Sequence, residues 1–238
     1  MIEIVWHRGA HEYAPENTFA ATQKCLDWGM DYIEADVNTS KDGVLYVFHG
    51  PELERTTDGT GLITELTSEE VDTLDAGSWF DPEFAAERIP RLDAFLSWLK
   101  GKAKVFFDVK MDDPQPLIDL VYKVGLEQEC FFWFGSQQAA VRFREIDRKL
   151  ALKMNVSKPK DVIKAVEEFG ANIVEVGLEN MSEELFDVCR QHGVKIMIFH
   201  PHKDLEGFRQ IIEWGVEIAN VDHGDLFARL VREAESGV

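Results

Sequence analysis

The chain has 238 residues, 45% of them hydrophobic and 29% charged, a composition of globular rather than disordered or fibrous proteins. Its 25 Lys+Arg against 44 Asp+Glu leave a formal net charge of −19, which argues against nucleic acid or an anionic membrane as partner, because both are polyanions. Cys25, Cys130 and Cys189 stand far apart without Cys-x-x-Cys spacing, so they read as small buried residues in a reducing compartment rather than as zinc ligands.

The opening run Met1–Trp6 is apolar but carries no basic flank and stops at His7-Arg8, too short for a signal peptide. No later run approaches the ~20 apolar residues of a membrane span, so a cytoplasmic protein without stable membrane association is expected. Short β-branched or aromatic runs then alternate with segments of helical period. Strands are expected at Glu3–Trp6, Tyr32–Val37, Val105–Lys110, Phe131–Phe134, Leu152–Val156, Ile173–Gly177, Lys195–His200 and Ile218–Asp222. Helices fall at Asn17–Trp28, Leu92–Leu99, Pro116–Val124, Gln137–Lys149, Lys160–Phe169, Glu183–Gln191, Leu205–Glu213 and Asp225–Glu235, with Gly29, Gly125, Gly170, Gly193 and Gly215 as helix stops. Trp6, Trp28, Trp98 and Trp214 are expected to pack between strands and helices.

Eight strand–helix pairs predict an α/β fold, a TIM-type (β/α)8 barrel, with residues 1–238 as one domain. A doubly wound open sheet is the alternative, but no Gly-x-Gly-x-x-Gly turn follows any strand. Residues 38–91 break the rhythm and read as an insertion between the second strand and its helix. The insertion opens with a hairpin turning at Asp42-Gly43, returns along Val44–His49, and continues through two short helical stretches. In a barrel this insertion lies at the catalytic face.

Glu34 and Asp36, at i and i+2 of one strand, share a face. Turned into a barrel mouth they repel unless a cation or shared proton intervenes, and hard oxygen donors suit Mg²⁺ or Ca²⁺; a solvated acidic edge is the plainer reading. His7 and Arg8 follow the first strand directly, and His49 ends the hairpin strand that folds back beside Glu34 and Asp36. Two imidazoles at one site suit general acid–base work, and a guanidinium suits phosphate oxygens. Asp108 and Lys110 repeat the i, i+2 geometry, either as a third metal carboxylate with a phosphate-binding amine or as an internal ion pair. Trp133, Lys153 and Glu175 lie on the next three strands in inward phase, as a sugar or glycerol pocket or as core.

The segments His7-Arg8-Gly9, Pro15-Glu16-Asn17-Thr18, Glu34-x-Asp36-Val37, Lys41-Asp42-Gly43, Val47-Phe48-His49 and Arg55-Thr56-Thr57-x-Gly59-x-Gly61 carry a likeness: in order and spacing the chain resembles the glycerophosphodiester phosphodiesterase family. The likeness is dense over the first quarter and thinner beyond, through Asp108-x-Lys110 and a closing Gly215-Val216 with Asp222. It implies a TIM barrel with the insertion, a divalent metal, Mg²⁺ or Ca²⁺, on Glu34, Asp36 and Asp108, an acid–base pair of His7 and His49, and Arg8 and Lys110 on phosphate. The implied reaction is hydrolysis of a small anionic glycerophosphodiester, or a related sugar phosphodiester, to a phosphomonoester and an alcohol, within glycerol and lipid metabolism. Phospholipase-D-like headgroup cleavage with a cyclic phosphate product, and a non-catalytic phosphodiester-binding barrel, stand as alternatives. Three departures from the family pattern stand out: Gly50 follows the second histidine in place of Asp, Asp108 replaces a common Glu, and Phe199-His200-Pro201-His202-Lys203 replaces Trp-Thr-x-Asn. Phe199 still supplies an apolar wall, and the resemblance leaves the ion, the headgroup and the oligomeric state open.

Overall fold

The computed structural model describes residues 2–236. In chain order the elements are β1 (Glu3–Trp6), α1 (Phe19–Asp27), β2 (Tyr32–Thr39), β3 (Leu45–Val47), α2 (Ser68–Val71), α3 (Leu92–Leu99), β4 (Lys104–Val109), α4 (Gln115–Val124) and β5 (Cys130–Phe134). They continue with α5 (Gln137–Ile146), β6 (Ala151–Asn155), α6 (Pro159–Phe169), β7 (Ile173–Gly177), α7 (Glu183–His192), β8 (Lys195–His200), α8 (Leu205–Trp214), β9 (Ile218–Val221) and α9 (Gly224–Ser236).

Strand β1 pairs in parallel with both β2 and β9, so the sheet closes into a TIM barrel of eight parallel strands, and β3 is added antiparallel to β2. Period-two alternation sends one side chain of each pair inward. Val5, Tyr32, Phe106, Phe131, Ile173, Met197 and Ile218 form a small apolar layer inside, with Phe106 stacked on Phe131 at 4.5 Å between ring centroids. Below that layer Glu3 pairs with Lys104 and, at 3.4 Å, with Lys195. The opposite faces of the strands pack against the helices in the main core.

Several expected boundaries shift for local reasons. Helix α1 begins at Phe19 rather than Asn17, because Asn17 adopts a left-handed backbone with φ 58° and Thr18 is the N-cap, its hydroxyl accepting from Ala21 N–H at 3.2 Å. Helix α5 stops at Ile146 rather than Lys149, since Asp147 is extended and its carboxylate accepts from the N–H groups of Lys149 and Leu150. Helices α4, α6, α7 and α8 end at Gly125, Gly170, Gly193 and Gly215, all left-handed. Trp6 is fully buried as expected, but Trp28, just past α1, is 42% exposed.

Between β2 and α3 the chain gathers a second apolar cluster from Tyr46, Phe48, Leu53, Ile63, Val71, Ala76 and Ile89. The Tyr46 hydroxyl donates to Asp72 Oδ1 at 2.8 Å, and Arg91 pairs with the same carboxylate. The three cysteines are free and buried, and burial pushes their thiols up. No helix among the described residues is long and apolar enough to cross a membrane.

At the β9–α9 corner, a Cβ on Gly224 would stand 2.6 Å from the Trp6 ring, which is rigid and has no room to retreat. Gly224→Ala is expected to destabilise the fold by about 1–3 kcal/mol, read as a lower urea midpoint at unchanged slope.

Candidate active site

Strand β2 turns Glu34 and Asp36 inward, 3% and 1% exposed, and its register sets Asp36 beside Asp108 of β4. Each of the three carboxylates offers one oxygen within 4.8 Å of the others. Burial pushes Glu34 up to about 8, with repulsion from Asp36 and Asp108 adding and attraction to His7 opposing. Burial and the Asp36 charge raise Asp108 in the same way, against Lys110. The Lys110 ammonium lies 2.6 Å from Asp108 and 3.1 Å from Asp36, the internal ion pair that the i, i+2 spacing allows. Three clustered oxygen donors, one of which, Asp108 Oδ1, is buried with no hydrogen-bond partner among the described residues, fit a divalent cation.

At the end of β1, His7 Nδ1 meets Asp222 Oδ1 at 2.7 Å, and its Nε2 faces Glu34 at 3.8 Å. Burial opposes charge on the ring, but Glu34 and the Asp222 hydrogen bond outweigh it and raise His7 to about 9. Arg8 follows with φ 57°, a left-handed conformation that costs a non-glycine residue about 1–3 kcal/mol and is held here from both sides. Its N–H donates to Glu34 Oε2 at 2.6 Å, and its carbonyl accepts from Asn17 N–H at 3.0 Å. This bend swings the guanidinium onto His49, with Nη2 2.7 Å from His49 Nε2.

His49 reaches the site because Phe48 N–H donates to the Asp36 carbonyl at 2.8 Å, laying the end of the hairpin over β2. Burial, with Arg8 and Lys110 and against Asp36, pulls His49 below the ordinary imidazole range. Beside it Glu16 receives a fork from Arg55 at 2.6 and 2.8 Å. Burial alone would raise Glu16, but Arg55 and Arg8 hold it below the usual carboxylate range.

The remaining inward residues wall a cavity of about 240 Å³ lined by His7, Glu34, Phe106, Asp108, Trp133, Lys153, Asn155, Glu175, Phe199 and Asn220. Lys153 Nζ lies 3.0 Å from Glu175 Oε2 and 4.8 Å from the centroid of the Trp133 ring. Burial lowers the lysine, opposed by Glu175. Phe199 sets its ring edge-on to His7 at 5.0 Å. Every residue singled out from the sequence is thus at the C-terminal end of the barrel: Trp133, Lys153, Glu175 and Phe199 line the cavity, and Arg8, His49 and Lys110 sit at the carboxylate cluster. By contrast His200 turns away, 7% exposed, and packs on Phe208 at 5.3 Å.

The model of the glycerophosphoryl diester phosphodiesterase family matches residues 7–226. The chain belongs to this family. It is therefore an enzyme of the phosphoric diester hydrolase class. A solved glycerophosphodiester phosphodiesterase from Agrobacterium tumefaciens str. C58 is 39% identical with a TM-score of 0.90, covering 96% of this chain and all of that one. A phosphodiesterase from Oleispira antarctica, solved in complex with the product sn-glycerol-3-phosphate, is 25% identical with a TM-score of 0.82, covering 98% of this chain and 96% of that one. The Bacillus subtilis relative YhdW is 41% identical over 126 residues, which span 53% of this chain and only 49% of that protein.

Sequence reasoning missed three parts of the site. Asp222 orients His7, Asn17 Nδ2 donates to Asp36 Oδ2 at 2.8 Å, and the Arg55–Glu16 fork ties the insertion to the loop after β1. For Asp222 a signal was present: Ile218, Asn220 and Asp222 share the inward phase of β9. Glu16 and Asn17 lie in a segment that carries the family likeness, but nothing in the sequence names their partners, Arg55 and Asp36, which are distant along the chain.

Because His7 titrates above the ordinary 6.5, its pairing stabilises the fold fully below that value and ceases to as pH rises through about 9. In the metal-free protein, Asp222→Asn is expected to lower the His7 pKa by NMR titration. Its destabilisation should be largest near pH ~6 and fade above pH ~9.

Proposed function

We propose that the protein is a metal-dependent glycerophosphodiester phosphodiesterase that uses His7 and His49 as its acid–base pair. The observation that carries this reading is the convergence of both imidazoles and the Arg8 guanidinium on one buried three-carboxylate cluster. Glu34, Asp36 and Asp108 are the residues that would hold the ion, Mg²⁺ or Ca²⁺, and when bound it supplies positive charge to the non-bridging phosphate oxygens.

The chain's own groups then have distinct tasks. Arg8, fixed by its bent backbone, presents donors to phosphate, and Lys110 adds a point charge at the same edge. A protein of net charge −19 needs this local concentration of cations to hold an anion at all. Asp222 holds the His7 ring so that Nε2 faces the cavity, and His49 approaches from the insertion side; one takes the proton of the nucleophile and the other returns a proton to the leaving alcohol.

The Lys153–Glu175 pair sets a donor and an acceptor side by side in a cavity that Trp133 and Phe199 also line, a pattern suited to adjacent hydroxyls of glycerol or a sugar. The sn-glycerol-3-phosphate product of the Oleispira antarctica relative supports glycerol as the group that stays on the phosphate. On this reading residues 1–238 are one barrel domain with 38–91 as an insertion at the catalytic face. The free, buried thiols suit a cytoplasmic setting.

Alcohol and phosphomonoester release from a panel of glycerol and sugar phosphodiesters tests the proposal. Turnover is expected with Mg²⁺ or Ca²⁺ and is expected to vanish with chelator. His7→Ala and His49→Ala should each lose about 10²–10⁴ in kcat with the thermal transition retained. Retention of activity in either variant would remove that histidine from the mechanism. Lys153→Met should raise KM for glycerol diesters more than it lowers kcat.

A further inference from the structure

His49 and Asn17 each leave one buried polar atom unaccounted for, and both residues line the same small cavity. Arg8 can only donate, so His49 Nε2 accepts from it at 2.7 Å, and the neutral ring then carries its proton on Nδ1. That Nδ1 is buried and meets no partner among the described residues. Asn17 is 6% exposed, and because its Nδ2 donates to Asp36 at 2.8 Å, the amide is oriented and Oδ1 is left as an acceptor. Asn17 Oδ1 is likewise buried and unpartnered among the described residues.

Both residues line a cavity of about 10 Å³, together with Glu16, Thr18, Thr56, Ala76 and apolar neighbours. A space of this size, walled by two residues that each hold an unpartnered polar atom, accommodates one water molecule. The other polar neighbours are largely committed: Glu16 accepts from Arg55 with both oxygens, and the Thr18 hydroxyl donates to the Pro15 carbonyl at 2.6 Å. Gly50, next to His49, brings no side chain.

We propose that one ordered water in this cavity accepts from His49 Nδ1–H and donates to Asn17 Oδ1, making Asn17 a positioning residue for the His49 imidazole. This rests on the role given to His49 above. Asn17 thereby orients two halves of the site at once, the Asp36 carboxylate through its nitrogen and the imidazole through its oxygen and the water. The left-handed backbone at Asn17, φ 58°, suits asparagine and disfavours the β-branched residues that would close the space.

A high-resolution crystal structure of the metal-loaded protein, with the imidazole tautomer read from ¹⁵N NMR, tests the proposal. The expected result is one water within about 2.7–3.2 Å of both atoms and a proton on His49 Nδ1. A dry cavity, a water touching only one of the two atoms, His49 Nδ1 turned onto Glu16, or a proton on Nε2 would each overturn it. Ala76→Val adds methyl groups to the cavity wall without replacing a residue of the reaction. With the water displaced in its crystal structure, kcat should fall about tenfold while KM and metal affinity stay within about twofold. An unchanged kcat with the water displaced would end the positioning role. Where that variant fails to fold, the wild-type water and tautomer still decide. Absence of turnover in the wild type would strike the function proposed above while leaving these two structural readouts to be judged separately.

Discussion

The mouth of the barrel is organised around an electrostatic constraint: three carboxylates, from buried Glu34 and Asp36 and half-buried Asp108, stand within one ion's reach of each other. Such a cluster is costly to hold as charge without compensation, and the surrounding residues read as answers to that cost. Lys110 leans between two of the acids, the Arg8 backbone N–H donates to the first, the Asn17 amide to the second, and His7 stands opposite Glu34. Each neutralising group is also one that a phosphodiester anion can use. On the function proposed above, stabilising the cluster and recruiting substrate fall to the same groups.

The insertion is tied into this arrangement rather than merely placed near it. Its apolar cluster around Tyr46 and Phe48 is separate from the main core, yet Phe48 donates to the Asp36 backbone and Arg55 grips Glu16 with both nitrogens. A chain of close polar contacts therefore runs from the insertion through Glu16 and Arg8 to His49, which itself ends the insertion's own hairpin. Small displacements of the insertion would be felt at the imidazole, because these contacts link the two directly.

Much of the architecture was legible because it is periodic. Alternating strand and helix runs announced the closed barrel, and the i, i+2 spacing of Glu34 and Asp36 announced a shared face that the structure brings against Asp108. What was not legible depends on contacts between residues distant along the chain. Nothing in the order of residues announces that Asn17 bonds Asp36, or that Arg8 bends left-handed between Glu34 and Asn17. The helix expected to begin at Asn17 starts later for the same reason: a side chain recruited to the site takes its backbone out of the helix. Trp28, expected to pack, is instead the C-cap of α1 and stands exposed.

The pairing of Glu3 with Lys104 and Lys195 beneath the interior aromatic layer closes the barrel at the end opposite the cavity. The cavity therefore has the apolar layer as its floor and the C-terminal end of the barrel as its doorway. Incoming diester and departing alcohol and monoester share that doorway, so occupancy by one excludes the next. Traffic, rather than only chemistry, belongs among the steps that set turnover in such a vessel.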